Sequence, residues 1–229
     1  MYGNRSQNPE NIAIQVFNTI FLHLPHMINK YITPLAIVLS VLVIDQWVKY
    51  YIKTHFFLGE EVNVMGEWFK IHFTENYGMA FGLEFGGKSG KIFLTVFRLI
   101  AVSFIGWYIH TLIKSNSHKG YITSWTLILA GAIGNILDSI YYGVMFHYDS
   151  WFHGRVVDMF YFPLINTTIP EWFPIWKGEE FEFFRPVFNV ADAAISIGFI
   201  AIIIFQKKFF AEENKKEIEG IESAEESVS

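Results

Sequence analysis

Four stretches of this chain are long and apolar enough to cross a bilayer, and that property excludes most folds open to a chain of this size. A hydrocarbon core about 30 Å thick takes about 20 mostly apolar residues per helix. The stretches run from about Ile32 to Ile52, Ile92 to Ile113, Tyr121 to Tyr142 and Val190 to Phe205. Tyr and Trp gather toward their ends, at Trp47, Tyr50, Tyr51, Tyr121, Trp125, Tyr141 and Tyr142, as interfacial aromatic belts do. Only 17% of the residues are charged, against about a quarter in a soluble domain. Cysteine is absent, which removes disulfides, thiol catalysis and cysteine-ligated metal. The net charge of −5 sits largely in the C-terminal tail, and no basic surface suited to nucleic acid is evident.

The remaining segments divide the chain. Residues 1–30 form an N-terminal extension whose stretch 11–24 is apolar but too short to span and is interrupted by Gln15, Asn18 and His23; an amphipathic helix on the membrane surface is expected there. It lacks the small-residue cleavage site of a signal peptide. Residues 31–208 form the four-span domain, and 209–229 a mixed-charge tail expected to be disordered. The N-terminal segment, the 114–120 loop and the tail hold Arg5, Lys30, Lys114, Lys119, Lys207, Lys208, Lys215 and Lys216. The two long loops, about 53–91 and 143–187, hold Lys53, Lys70, Lys88, Lys91, Arg155, Lys177 and Arg185 spread over far more residues. Positive charge concentrates on the cytoplasmic side, so both termini are expected inside and the long loops outside.

Under that topology the polar residues of the apolar spans share one depth. Asp45 and Lys49 lie in the outer half of the first span, Asn135 and Asp138 in that of the third, and Asn189 and Asp192 open the fourth. Asp158 lies in the apolar run RVVDMFYF of the second long loop. Ionisable groups in a membrane usually face a protein interior or a water-filled cavity. Each group also has an ordinary explanation. Asp45 and Lys49, four apart, can neutralise each other. Asn135 and Asp138 can join helices that approach closely at Ala130, Gly131 and Gly134. Asn189 and Asp192 have capping-box spacing. Asp158 fits neither a cap nor a turn. Two carboxylates in a partly dry site share one proton, the state needed to split a peptide bond with water.

The ordered motifs are Asp45-Gln46 with Lys49, Asn76-Tyr77-Gly78-Met79-Ala80-Phe81-Gly82, Gly134-Asn135-Ile136-Leu137-Asp138, Val156-Val157-Asp158-Met159-Phe160 and Phe188-Asn189-Val190-Ala191-Asp192. From about residue 40 to 200 they resemble the lipoprotein signal peptidases, signal peptidase II, of bacteria. The resemblance implies a mainly α membrane fold of four transmembrane helices, with a small extracytoplasmic β-element at about 55–90 and an outer loop at about 143–187 acting as a flap. It implies an aspartic endopeptidase of the bacterial cytoplasmic (inner) membrane, its active site at the outer face. The enzyme would cut diacylglyceryl-modified prolipoproteins before the lipidated cysteine, in contact with membrane lipid, as a monomer and without cofactor or metal. Asp158 and Asp192 match the family's catalytic aspartates. Asn76, Gly78, Asn135 and Asn189 match positions that hold the site and substrate, and Asp45, Lys49 and Asp138 match supporting positions.

Three features depart from the family. Ser139 stands where the family has Arg, leaving a cationic contact to be supplied elsewhere, with Arg155 the nearby candidate. The stretch MFHYDSWFHG lengthens the connection between Asp138 and Asp158, and the first 30 residues exceed the usual N-terminus. Locally, residues 68–73 alternate apolar and polar, the period of a half-buried strand. The second long loop is rich in aromatics, including Trp151, Trp172 and Trp176, and suits a lipid surface. Gly82 to Ser89 spells a P-loop, but it leads into a membrane span rather than joining a buried strand to a soluble helix. His147, Asp149 and His153 lack a metal-binding framework, and the sequon at Asn166 has no bearing in a bacterium. The reading from another class is a small transporter or channel with an aspartate-lined ion path; its polar groups would sit near the midplane. A binding-only relative would have lost one aspartate, and both are present.

Overall fold

A computed structural model describes residues 9–77, 87–163, 165–168, 180–183 and 186–226, with side chains within 29–77, 90–163 and 186–211. Four long helices carry the chain: α1 (Pro9–His55), α2 (Gly87–Lys114), α3 (Lys119–Met145) and α4 (Val190–Glu226). Their membrane-crossing portions are Asn29–His55, Gly90–Lys114, Lys119–Met145 and Val190–Ala211, close to the stretches read from hydropathy. The share of buried residues is 44% in α3 and 6–17% in the others, so α3 is the hub on which the other three pack.

Small residues make this packing possible. A Cβ built on Gly131 would lie 2.2 Å from the Ala191 carbonyl oxygen, and one on Gly134 would lie 2.8 Å from an Asp45 carboxylate oxygen. α3 therefore meets the α4 backbone at the first and an α1 side chain at the second, as small residues permit in membrane helices. The outward faces of α1, α2 and α4 stay apolar, with Leu39, Val43, Phe97, Ile100, Ile200 and Ile204 exposed, as a lipid solvent requires.

Between α1 and α2 lie β1 (Glu61–Met65) and β2 (Phe69–Asn76); between α3 and α4 lie β3 (Val156–Tyr161), β4 (Ile165–Thr168), β5 (Glu180–Phe183) and β6 (Val187–Phe188). A four-stranded antiparallel sheet has the order β1-β2-β3-β6, and β4 and β5 form a separate pair. The strand expected at 68–73 is β2, three residues longer at its end. In β3 the period of two puts Val157 and Met159 into a core with Phe73, Ile52 and Tyr142, which leaves Asp158 on the opposite face.

Both terminal segments prolong the spans as helices. The 11–24 stretch is the start of α1, continuous with the first span despite Pro25 and Pro34; at about 1.5 Å per residue, α1 exceeds the bilayer's thickness. The tail expected to be disordered continues α4 to Glu226. Its Glu, Lys and Ala are strong helix formers, and Glu212 and Lys216 have the favourable i, i+4 order, so a helix already under way meets no proline to stop it and runs through Gly220. The added MFHYDSWFHG segment folds into tight turns with positive φ at His147 and Phe152. It returns against α3 at Gly154, whose backbone N–H donates to the Ser139 carbonyl at 2.9 Å.

Candidate active site

The site assembles where α1, α3, β2, β3 and the start of α4 converge. Asn189 and Asp192 form the capping box their spacing predicts. The Asp192 N–H donates to Asn189 Oδ1 at 2.9 Å, and the Asn189 N–H donates to Asp192 Oδ2 at 3.3 Å. The same Asn189 turns its amide nitrogen the other way, donating to Asp158 Oδ1 at 2.7 Å, to the Val157 carbonyl at 3.3 Å and to Asn135 Oδ1 at 3.2 Å. Asn135 in turn donates to Asp192 Oδ1 at 2.8 Å. Asn76, at the end of β2 and paired in register with Val156, hydrogen-bonds Asp158 from the sheet side. Three asparagines thus hold two carboxylates that are 34 positions apart in sequence but belong to one site.

Asp158 is 4% exposed. Burial first, and the charge of Asp192 second, push its carboxyl up to about 7, although the amides of Asn189 and Asn76 and the charge of Lys49 act against that rise. Desolvation and a like charge both disfavour the ionised form, so near neutral pH the pair holds one proton between its members.

Beneath the pair lies a buried ionic network. Lys49 Nζ lies 2.8 Å from both Asp45 Oδ2 and Asp138 Oδ2, with all three side chains fully buried. It also donates to Asn135 Oδ1 at 3.0 Å. Asp45 Oδ1 accepts from the Ala191 backbone at 2.8 Å, fastening α1 to the first turn of α4. Gln46 donates to Asp138 Oδ1 at 2.8 Å and to Asp45 Oδ2 at 3.1 Å, and it accepts from the Tyr142 hydroxyl at 3.2 Å. Asp45, Lys49 and Asp138 therefore act on the carboxylate pair through Asn135 and the α4 backbone.

Other residues fall outside this cluster. Gly78 and most of the glycine-rich segment lie outside the described residues, as does much of the 143–187 loop. Ser139 is buried, its hydroxyl donating to the Asn135 carbonyl at 3.1 Å. Arg155 does not reach the pair. Its guanidinium is 3.0 Å from Glu75 and sits over the rings of Tyr77 and Tyr148, at 4.8 and 5.2 Å. Glu75 also pairs with Lys53, tying the end of α1 to the sheet. Arg98 of α2, which carries no signal in the motifs, also interacts through its charge with Asp192 and Asp138. His153 Nδ1 lies 3.0 Å from Ser150 Oγ and 2.9 Å from the Trp151 carbonyl. Among the described residues, no three His, Asp or Glu side chains gather as a metal would need.

The chain is similar to known proteins over most of its length. A family model described as "Signal peptidase (SPase) II" matches residues 37–208. The lipoprotein signal peptidase of Porphyromonas gingivalis is 46% identical over 185 residues, covering 74% of this chain and 80% of that protein. That of Amoebophilus asiaticus is 39% identical over 196 residues, covering 82% of each. A solved structure described as a bacterial membrane enzyme superposes with a TM-score of 0.53 at 26% identity, covering 77% of this chain and 88% of that one.

Proposed function

Because this chain belongs to the signal peptidase II family, and so is a membrane peptidase that removes signal peptides from prolipoproteins, we propose that Asp158 and Asp192 are its catalytic pair. The observation that carries this is the asparagine bracket: Asn189 donates to both carboxylates, by its side-chain amide to Asp158 and its backbone N–H to Asp192, and Asn135 fixes Asp192. In the singly protonated pair, the ionised carboxylate takes a proton from the attacking water. The protonated partner donates to the scissile carbonyl as the tetrahedral intermediate forms. Asn76 and Asn135 keep the pair in register and offer polar groups to the substrate backbone.

The membrane places the reaction. With four membrane-crossing helices the protein belongs in the bacterial inner membrane. Both termini lie in the cytoplasm and the aspartates face outward, where a diacylglyceryl cysteine anchored in the outer leaflet presents the bond before it. The four-stranded sheet is the cradle for that extended segment, and the loop bearing β4 and β5 is the flap above it. The protein works as a monomer.

Cleavage of a diacylglyceryl prolipoprotein by the purified protein tests the assignment. Asp158→Asn and Asp192→Asn should each lose several orders of magnitude of turnover, since a carboxamide is no base and paired groups act as a unit. Retained turnover in either variant would overturn the pairing.

A further inference from the structure

The end of the helix bundle away from the aspartates carries a second polar feature that proteolysis does not use. α1, the α2–α3 turn and the start of α3 enclose a cavity of about 670 Å³. Its polar wall is Lys30, Asn116, Ser117 and Lys119, and its floor is Pro34, Ile113 and Ile122. We propose that this cavity binds the phosphate headgroup of an anionic phospholipid.

Charge is the first argument. No Asp or Glu occurs in residues 11–44, 85–137 or 193–211, so this end of the spans is cationic without counter-charge; the nearest acids along α4 are Glu212 and Glu213. At the aspartate end Lys49, Lys53, Lys70 and Arg155 each have a carboxylate partner. Among the described residues, neither Lys30 nor Lys119 forms an ion pair. Lys30 Nζ spends one donor on Asn116 Oδ1, at 2.7 Å, and an ammonium has three. The N-terminus of α3 is already capped, its Gly120 N–H donating to the His118 ring at 2.9 Å. The lysines, not the helix amides, are therefore what would meet the anion.

Depth is the second argument. The membrane-crossing portions of α2 and α3 end at Lys114 and begin at Lys119, and Lys30 of α1 is held at that level by Asn116, so the cavity lies where hydrocarbon gives way to headgroups. Tyr108, Tyr121 and Trp125 cluster at the same end, as an interfacial belt does. Basic pockets between membrane helices at this depth suit lipid phosphates. A free phosphate is also an anion, but it gains nothing from a floor of Pro34, Ile113 and Ile122. A glycerol backbone and its first acyl carbons do.

The test uses the detergent-purified full chain in native mass spectrometry and thermal melts, with phosphatidylglycerol, phosphatidylcholine and inorganic phosphate as probes. Wild type should retain phosphatidylglycerol about tenfold or more over phosphatidylcholine, and its melting temperature should rise with the former. The variant Lys30→Gln/Lys119→Gln should lose that preference. Lys119→Glu, at an exposed position, should invert it even if the double variant melts early. Equal retention of the two lipids, or a preference surviving in Lys119→Glu, would overturn the site. Stabilisation by inorganic phosphate equal to that by phosphatidylglycerol would overturn the lipid and leave a free-anion site. None of these readings depends on cleavage, so they stand or fall apart from the peptidase assignment.

Discussion

One asparagine side chain does two jobs at the mouth of the site, and substitution can separate them. Asn189 Oδ1 caps α4 while Nδ2 holds Asp158. Serine keeps an N-cap acceptor but is too short to donate to Asp158. Asn189→Ser is therefore expected to melt near wild type and to lose on the order of a hundredfold in turnover. Asn189→Ala should lose turnover similarly and also about 1 kcal/mol of stability with the cap; a melt shared by both variants would show that the cap does not matter. Asp158 sets the pH behaviour. Its folded-state carboxyl is raised to about 7, against about 4 in an unfolded chain. Between those values the folded protein holds a proton that the unfolded chain has released, so stability falls as pH rises through this window and levels off above it. Asp158→Asn cannot ionise. Its melting temperature should match wild type near pH 4 and exceed it at pH 8, and a constant offset across the range would contradict the raised carboxyl. Turnover of wild type should decline above about 7, as the shared proton leaves.

At the scale of elements, the contact of α3 with α4 decides whether Asn135 reaches Asp192. A methyl at Gly131 would sit 2.2 Å from the carbonyl of Ala191, the residue before Asp192, whereas a methyl at Gly106 of α2 meets nothing within 4 Å. Gly131→Ala should lower both melting temperature and turnover; Gly106→Ala should be neutral or gain up to about 1 kcal/mol from helix propensity. Equal behaviour of the two in a melt would remove the close approach from the account. The sequence announced this contact through Gly131 and Gly134 beside Asn135, and it announced the spans through hydropathy, because lipid demands one composition over a fixed length. Asn189 and Asp192 were legible as a cap and Asp158 as an acid without a local excuse. Arg98 was missed although a cation inside an apolar stretch is itself a signal; it was read as part of the span. Gln46 stood in a motif and Tyr142 in an aromatic belt, but their polar roles carried no signal, since their bonds to Asp138 and to each other exist only once α1 lies against α3. The helical course of the C-terminal segment carried no signal because low hydrophobicity says little about a helix propagated from a membrane span.

Across the whole molecule, what joins three helices at the level of the site is one buried cation. Lys49 of α1 meets Asp45 on its own helix and Asp138 on α3, and Asp45 reaches the backbone of α4. Removing one partner of a buried ionic cluster is costly because it strands the others, typically by about 3–5 kcal/mol. Lys49→Met should therefore melt far below wild type. Adding Asp45→Asn and Asp138→Asn removes the stranded charges, and the triple variant should recover much of that loss, since buried pairs replaced by neutral groups often cost little. Turnover should not return with it. Lys49 also donates to Asn135 Oδ1, which turns the amide so that its nitrogen faces Asp192; a methionine leaves that amide free to rotate. The network then has two separable duties, holding helices together and orienting an asparagine, and melts set beside turnover numbers distinguish them. If Lys49→Met alone melts like wild type, the helices are held by packing on α3 and the cation serves only Asn135. If the triple variant regains both stability and turnover, the amide is oriented by Asn189 alone, whose nitrogen already donates to the same Asn135 oxygen at 3.2 Å.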